Sequence, residues 1–122
     1  MAVVRTQTEM ESVNPATEEV MGRFPLNTQM EVDKALDRAR EAFKSWRQTS
    51  FEERGELFHR IAGHLRGNKS RYSAIITKEM GKPIIESESE IEKCAWNCDF
   101  YADNAKVFLR ACYEPPVRSG AA

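Results

Sequence analysis

The sequence has 122 residues, of which 41% are hydrophobic and 30% are charged, with 18 Lys and Arg against 19 Asp and Glu. This balance excludes collagen-like and low-complexity chains, and a net charge of −1 without a basic cluster gives no footprint for nucleic acid binding. No apolar stretch is long enough for a membrane span or a secretory signal, so we expect a cytoplasmic protein without a membrane partner.

The first predicted element is a β-hairpin over about residues 10–24. β-branched and apolar residues flank an Asn-Pro-Ala-Thr turn signal, which predicts one strand near 10–14 and a second near 19–24. An isolated two-stranded hairpin is only marginally stable in water, so we expect this one to pack on another part of the molecule.

Two capping boxes predict the starts of the next two helices, over about 28–47 and 51–67. Thr28 and Ser50 are each followed three residues later by a glutamate, so side chains satisfy the first backbone amides. Each helix carries an apolar stripe that we expect to face inward. The stripes are Val32, Ala35, Leu36, Ala39, Ala42, Phe43 and Trp46 in the first helix, and Leu57, Phe58, Ile61, Ala62 and Leu65 in the second. Gly67 and Asn68 predict a left-handed stop.

A third helix over 69–80 ends at Gly81, and Pro83 begins a fourth helix over 83–109. The fourth helix has a seam of small and apolar residues in alternating steps of three and four, interrupted at Glu88. The seam is Ile84, Ile91, Ala95, Cys98, Ala102, Ala105 and Leu109. Small residues favour a close helix neighbour, so we expect the seam to face both earlier stripes in part. Residues 110–122 are predicted to form a flexible tail.

Few residues suggest chemistry. Cys94 and Cys98 lie one helical turn apart without a second Cys/His pair, which is a weak zinc signal; reduced thiols are the alternative. In the run Glu86, Glu88, Glu90 and Glu92 the side chains alternate between two helix faces, which indicates a solvated first turn, although Glu86 and Glu90 share a face that could meet a pocket. No glycine-rich phosphate loop and no nucleophile motif is present.

Four stretches over about residues 10–109 together resemble the N-terminal segment of the aldehyde dehydrogenase superfamily. They are Ser12-Val-Asn-Pro-Ala-Thr-Glu-Glu-Val20, the segment from Val32 to Trp46, Glu52-Glu-Arg-Gly-Glu-Leu57, and Lys78-Glu-Met-Gly-Lys-Pro83. The family pattern is Asn-Pro-x-Thr-Gly-Glu-Val, then a Val-Asp-x-Ala helix ending in Trp, an Arg-x-x-x-Leu helix and a Gly-Lys-Pro turn. The Glu-Met-Gly-Lys-Pro run is most similar to the succinate-semialdehyde dehydrogenase branch.

The resemblance implies NAD(P)-dependent oxidation of succinate semialdehyde or a similar aldehyde to the carboxylate. The family's cysteine nucleophile, glutamate base, asparagine oxyanion donor and cofactor loop match no position here, so it implies no catalytic and no cofactor-binding residue. We therefore expect a truncated or partial dehydrogenase that is inactive alone and binds neither NAD nor NADP by itself. The expected fold class is mainly α with a small N-terminal hairpin, a piece of the family's α/β fold with its helical layer in residues 1–109.

The resemblance also implies a partial monovalent cation site, with the Val13 carbonyl and the Glu79 side chain as ligands. The long helix resembles one that lines the family's substrate tunnel, which makes Glu90 and Asn97 candidate mouth residues; ordinary surface positions are the alternative. We expect self-association, or packing with the missing remainder of a dehydrogenase, to cover exposed apolar surface. A non-enzymatic helical module that pairs with itself or with a full-length relative stays open, as does an unrelated helical binding protein.

Overall fold

A computed structural model of the chain describes residues 8–111, with side chains described as far as residue 109. An antiparallel hairpin precedes four helices, which confirms the predicted fold class. The elements are β1 (Glu9–Val13), β2 (Val20–Pro25), α1 (Gln29–Trp46), α2 (Phe51–Gly67), α3 (Lys69–Met80) and α4 (Ile84–Ala111). Because α4 includes residues 110 and 111, the predicted tail starts too early, and its remaining residues 112–122 lie outside the described part of the chain. No described helix is long and apolar enough to cross a membrane.

The hairpin is held by its turn. The Asn14 side chain accepts a hydrogen bond from the Ala16 amide at 2.9 Å, and the Glu18 amide donates to the Asn14 carbonyl at 2.8 Å. Glu18 adopts φ 62°, the left-handed region that glycine occupies most easily. A residue with a Cβ is strained in this region, so Glu18 places strain in the turn.

Both predicted capping boxes are present. The Thr28 amide donates to Glu31 Oε2 at 2.8 Å, and the Ser50 amide donates to Glu53 Oε2 at 2.7 Å. In return, each hydroxyl accepts from the backbone amide of its glutamate. These backbone hydrogen bonds lower the pKa of both glutamate carboxyl groups, because they favour the charged form.

The two predicted helix stops have different outcomes. Gly81 ends α3 with φ 71°, and a Cβ there would lie 3.0 Å from Pro15 Cγ, so this glycine also lets the hairpin turn approach α3. The left-handed stop predicted at Gly67 and Asn68 is wrong, because Gly67 stays helical and Asn68 has φ −114°. Since α3 begins at the next residue, Asn68 links the two helices directly and its side chain donates to the His64 carbonyl at 2.9 Å.

The three-helix unit, which we define as α2, α3 and α4, contains every buried residue of the described chain. These residues are Gly55, Ala62, Ser73, Ser87, Ile91 and Ala95. The α4 helix packs mainly on α2 and then on α3. A Cβ on Gly55 would lie 3.2 Å from the Ala102 carbonyl oxygen, which shows how closely the two helices approach.

The seam of α4 is buried only in its middle. Ile91 and Ala95 are buried, whereas Ile84 and Leu109 at its ends are 49% and 54% exposed. At the interruption near Glu88 the inward position belongs to Ser87, which the apolar pattern does not identify. Its hydroxyl lies 3.0 Å from Thr77 Oγ1, so α3 satisfies the buried polar group.

The predicted inward orientation of the α1 stripe is wrong for this chain. No residue of α1 is buried, and Leu36 and Phe43 are 54% and 59% exposed. The α4 seam packs against α2 and α3 instead, and α1 has no extensive packing contact with another described element. The corner before α2 is fixed by Arg54, whose guanidinium donates to the Trp46 carbonyl at 3.1 Å and lies 5.4 Å from that ring. We call the hairpin and α1 together the N-terminal arm.

Candidate functional site

Polar side chains with possible chemistry gather on two surfaces of α4. One is an open groove of about 670 Å³ along its first half, which we call the α4 groove. The groove is lined by Lys82, Ile85, Glu86, Ser89, Glu90, Lys93, Cys94 and Asn97. The other is a set of ion pairs between α4 and its neighbours, which we call the charge cluster. It consists of His59, Arg66, Lys69, Glu92, Asp99 and Asp103.

Helical spacing builds the α4 groove. Glu86 and Glu90 share this face, as the sequence indicates, and Asn97 lies two turns further along it. Lys82, from the loop before the helix, donates from Nζ to Glu90 Oε2 at 2.5 Å. This bond and the nearby Glu86 raise the pKa of Lys82. The groove thus brings both candidate mouth residues together, and one of them is already engaged in an ion pair.

The chemistry available in the α4 groove is recognition rather than nucleophilic attack. Cys94 is a free, exposed thiol on its wall, and its other ionisable members are two lysines and two glutamates. No histidine lines the groove, so the described surroundings give Cys94 no imidazole base. Opposite charges and an amide on an open surface suit contacts with a polar ligand or a neighbouring segment.

In the charge cluster, His59 of α2 bridges two carboxylates of α4. Its Nδ1 lies 2.8 Å from Asp99 Oδ1, and its Nε2 lies 3.1 Å from Asp103 Oδ1. Arg66 donates to Asp99 Oδ2 at 2.7 Å and to Glu92 Oε1 at 2.8 Å. The bond to Asp99 is the main reason that the pKa of His59 is raised, and His59 and Arg66 together lower the pKa of Asp99.

The charge cluster cross-links helices and does not activate a nucleophile. Both ring nitrogens of His59 contact carboxylates, and within the described part of the chain neither contacts a hydroxyl or thiol. Sequence reasoning missed this cluster. The sequence did contain one indication of it, because Asp99 and Asp103 are one helical turn apart and so share a face of α4. The residues that pair with them depend on how α2 and α4 align.

The predicted cation ligands are Val13, the last residue of β1, and Glu79, near the end of α3. Ser12 Oγ donates to Glu79 Oε1 at 2.9 Å, which places the carboxylate beside the strand that carries Val13. The strand pairing is irregular between Ser12 and Val13, so the backbone bends there. Among the described residues no group of three or more His, Cys, Asp and Glu could hold a metal ion. The partial monovalent cation site stays a prediction.

An apolar cleft of about 170 Å³ lies between α2 and the C-terminal half of α4. We call it the α2–α4 cleft. Its lining is Phe51, Arg54, Gly55, Phe58, Tyr101, Ala102, Ala105 and Leu109. The cleft is small and carries little polar surface other than the Arg54 side chain.

Comparisons with known proteins give one consistent result. The protein-family model described as "Aldehyde dehydrogenase family" matches residues 3–115 of the sequence. A probable NADP⁺-dependent succinate-semialdehyde dehydrogenase of Synechocystis is 39% identical over 98 residues, which are 80% of this chain and 22% of that protein. The 1-pyrroline-5-carboxylate dehydrogenase 2 of Bacillus subtilis is 37% identical over 117 residues, which are 95% of this chain and 22% of that protein.

The fold comparison agrees. Succinic semialdehyde dehydrogenase from Streptococcus pyogenes, solved with NADP⁺ as the cofactor, superposes with a TM-score of 0.76 at 37% identity. The match covers 81% of this chain and 22% of that one. The chain therefore spans about a fifth of the length of the curated relatives it matches.

Proposed function

Because the chain belongs to the aldehyde dehydrogenase family, we propose that it forms the N-terminal helical layer of an NAD(P)-dependent aldehyde dehydrogenase. The observation that carries this proposal is the superposition of the hairpin and helices on a succinic semialdehyde dehydrogenase over 81% of the chain. The complete enzyme would oxidise succinate semialdehyde or a similar aldehyde with NAD(P)⁺ and water, giving the carboxylate, NAD(P)H and two protons.

The proposed role of the described residues is structural support and recognition, not bond making. The family's nucleophile, base and cofactor loop match no position of this sequence, so we propose that the chain alone is inactive and binds no NAD or NADP. Glu90 and Asn97, in the α4 groove, are the proposed residues at the mouth of the substrate tunnel. Val13 and Glu79 remain the proposed ligands of a partial monovalent cation site.

The substrate is proposed only as a class. Relatives named for succinate semialdehyde and for 1-pyrroline-5-carboxylate are 39% and 37% identical to this chain, which is too small a difference to choose between them. Both names describe compounds that carry a carboxylate. We therefore propose an aldehyde substrate with a carboxylate at its other end.

Two enzyme assays test the proposal. First, the purified chain is incubated with succinate semialdehyde and NAD⁺ or NADP⁺, and absorbance of reduced cofactor is followed; no rate above a boiled control is expected. Second, residues 8–111 replace the matching segment of the Streptococcus pyogenes enzyme. A soluble chimera should reduce NADP⁺ at a rate within about tenfold of the parent, because the packed layer is retained. Activity of the chain alone, or a folded chimera without activity, would contradict the proposal.

The exposed stripe of α1 favours a second candidate, a non-enzymatic helical module that pairs with itself or a full-length relative. Leu36 and Phe43 are more than half exposed on one face of α1, and apolar surface of this kind marks interaction sites. In this candidate the stripe is the contact surface; in the first, the remainder of a dehydrogenase covers it.

Light scattering after size exclusion separates the two candidates. The double variant Leu36→Asp, Phe43→Asp should be monomeric if the wild-type chain self-associates through the stripe. Lys34→Asp, on the polar face of α1, is the matched control and should keep the wild-type mass. A monodisperse wild-type monomer that binds no dye for apolar surface would contradict pairing of the module with itself, and mixing it with a full-length relative then tests the other pairing.

A further inference from the structure

We propose that His59 is a pH-dependent clamp that holds the C-terminal half of α4 on α2 when its ring is protonated. Its two ring nitrogens reach Asp99 and Asp103 at 2.8 and 3.1 Å, and both carboxylates belong to α4. A single side chain of α2 therefore grips two successive turns of the opposite helix. This inference concerns the three-helix unit itself and does not depend on the proposed enzyme activity.

The number of N–H donors on the His59 ring makes the clamp sensitive to pH. An imidazolium ring has two N–H donors and can serve both carboxylates, whereas a neutral ring has one donor and one lone pair. After deprotonation, one carboxylate must face a lone pair at hydrogen-bonding distance, which is repulsive. The contact with Asp103 is the one expected to break, because Asp99 is closer and is also held by Arg66.

The neighbouring charges limit the effect to one end of α4. Arg66 of α2 and Lys69 of α3 pair with Glu92, and Arg66 also pairs with Asp99. These contacts hold the first half of α4 without a histidine. Beyond Asp103, Lys106 pairs with Glu52 of α2, and Glu56 of α2 lies in the same surface pocket as His59 and Asp103. The segment from 103 to 109 thus depends on His59 more than the rest of the helix does.

Release of the clamp acts on the α2–α4 cleft. Tyr101 and Leu109, from the clamped half of α4, form one wall of the cleft, and Phe51 and Phe58 of α2 form the other. When the contact with Asp103 is lost, this half of α4 can move away from α2. The cleft would then widen and expose more of its aromatic side chains, of which Tyr101 and Phe58 are already partly exposed.

The direction of the pH effect follows from linkage. Its carboxylate partners raise the pKa of His59 in the folded chain above the ordinary value of 6.5. The stabilisation is therefore complete below 6.5 and is lost as the pH rises through the raised folded pKa. Protonation closes the clamp, and a more alkaline medium opens it.

Amide hydrogen exchange of the full chain, kept reduced and measured from pH 5.5 to 8.0, tests the proposal. After correction for intrinsic rates, protection of residues 103–109 should fall by at least about twofold relative to residues 87–95 as the pH rises. His59→Gln should remove this dependence. His64→Gln is the matched control and should retain it, because His64 contacts the Tyr72 hydroxyl and not a carboxylate.

Asp103→Asn distinguishes a clamp from a purely structural contact. The asparagine amide can donate to the lone pair of a neutral His59 ring, so this variant should keep residues 103–109 protected at pH 8.0. Constant relative protection in the wild-type chain, or the same pH dependence in His59→Gln, would overturn the proposal. If His59→Gln fails to fold, an NMR titration of wild-type His59 decides: a pKa at or below 6.5 overturns the clamp.

Discussion

The N-terminal arm and the three-helix unit have similar sequence signals and opposite environments. Both contain a helix that begins with a complete capping box and continues with an apolar stripe. Only the three-helix unit buries part of its stripes, while every residue of α1 is exposed. Amphipathic spacing identifies the apolar face of a helix, but it does not say whether the partner of that face lies in the same chain.

Small residues explain why one region closes on itself. Gly55, Ala62 and Ala95 let α2 and α4 approach closely, so the two helices exclude water with little side-chain volume. The arm instead presents large side chains such as Phe43 and Trp46, which need a broad opposing surface. The three-helix unit is therefore the part whose stability should respond to substitution.

The largest expected effect comes from the same substitution in both regions. Ala95→Leu places a larger side chain in the fully buried contact of α4, and overpacking should lower the free energy of unfolding by about 2–3 kcal/mol. Ala39→Leu, on the exposed α1 stripe, should change it by less than about 0.5 kcal/mol. Urea unfolding followed by circular dichroism gives both values. Equal losses would mean that α1 is packed in solution.

The buried hydroxyl of Ser87 should contribute less than the seam but more than a surface residue. Ser87→Ala removes its hydrogen bond with Thr77 and should cost about 1–2 kcal/mol in urea unfolding. Ser89→Ala, two positions away on the exposed side, should cost less than about 0.5 kcal/mol. An equal loss in the free energy of unfolding for Ser87→Ala and Ser89→Ala would contradict this prediction.

The two capping boxes offer a matched test of coupling. Ser50→Ala removes the cap of α2 and should lower the global free energy of unfolding by about 1 kcal/mol. Thr28→Ala removes the equivalent cap of α1 and should reduce helical signal at 222 nm while leaving the urea midpoint in place, because no residue of α1 is buried. A shift of the midpoint in Thr28→Ala would show that the arm and the unit unfold together.

The smallest expected effect is a gain in the stability of the hairpin, within the N-terminal arm. Glu18→Gly relieves a left-handed residue in the hairpin turn and should stabilise the hairpin by about 0.5–1 kcal/mol. Slower exchange of the strand amides would report it, with an unchanged urea midpoint for the three-helix unit. Glu19→Gly, at a neighbouring position without positive φ, should weaken the hairpin instead. Faster exchange in Glu18→Gly would contradict the assignment of strain.

Local signals allowed much of the fold to be predicted. The capping boxes at Thr28 and Ser50 and the glycine at 81 fix helix ends through contacts within a few residues, so the sequence alone determines them. The middle of the α4 seam was predictable for the same reason, because spacing along one helix defines a face. Asn68 was mistaken because the immediate start of α3 removed the need for a left-handed stop.

Long-range partners could not be predicted. The buried hydroxyl of Ser87 is satisfied because Thr77 lies opposite it, and His59 becomes a bridge because α2 and α4 align Asp99 and Asp103 with it. Nothing within either helix specifies that alignment. The exposure of α1 could not be predicted for the same reason. Its spacing predicts an apolar face, but it does not show whether another described element covers that face. The spacing of the two proposed tunnel-mouth residues, Glu90 and Asn97, places them on one face of α4. The ion pair between Glu90 and Lys82 could not be predicted in this way.

The short connections between the last three helices have a consequence for the order of assembly. A single residue, Asn68, joins α2 to α3, and three residues join α3 to α4, so each helix meets the next one along the chain by closing a small loop. Helices that pack through short connections fold rapidly, on the order of milliseconds or faster. By contrast, the hydrogen bond from Ser12 to Glu79 spans 67 positions. The hairpin should therefore dock last, onto a three-helix unit that has already formed.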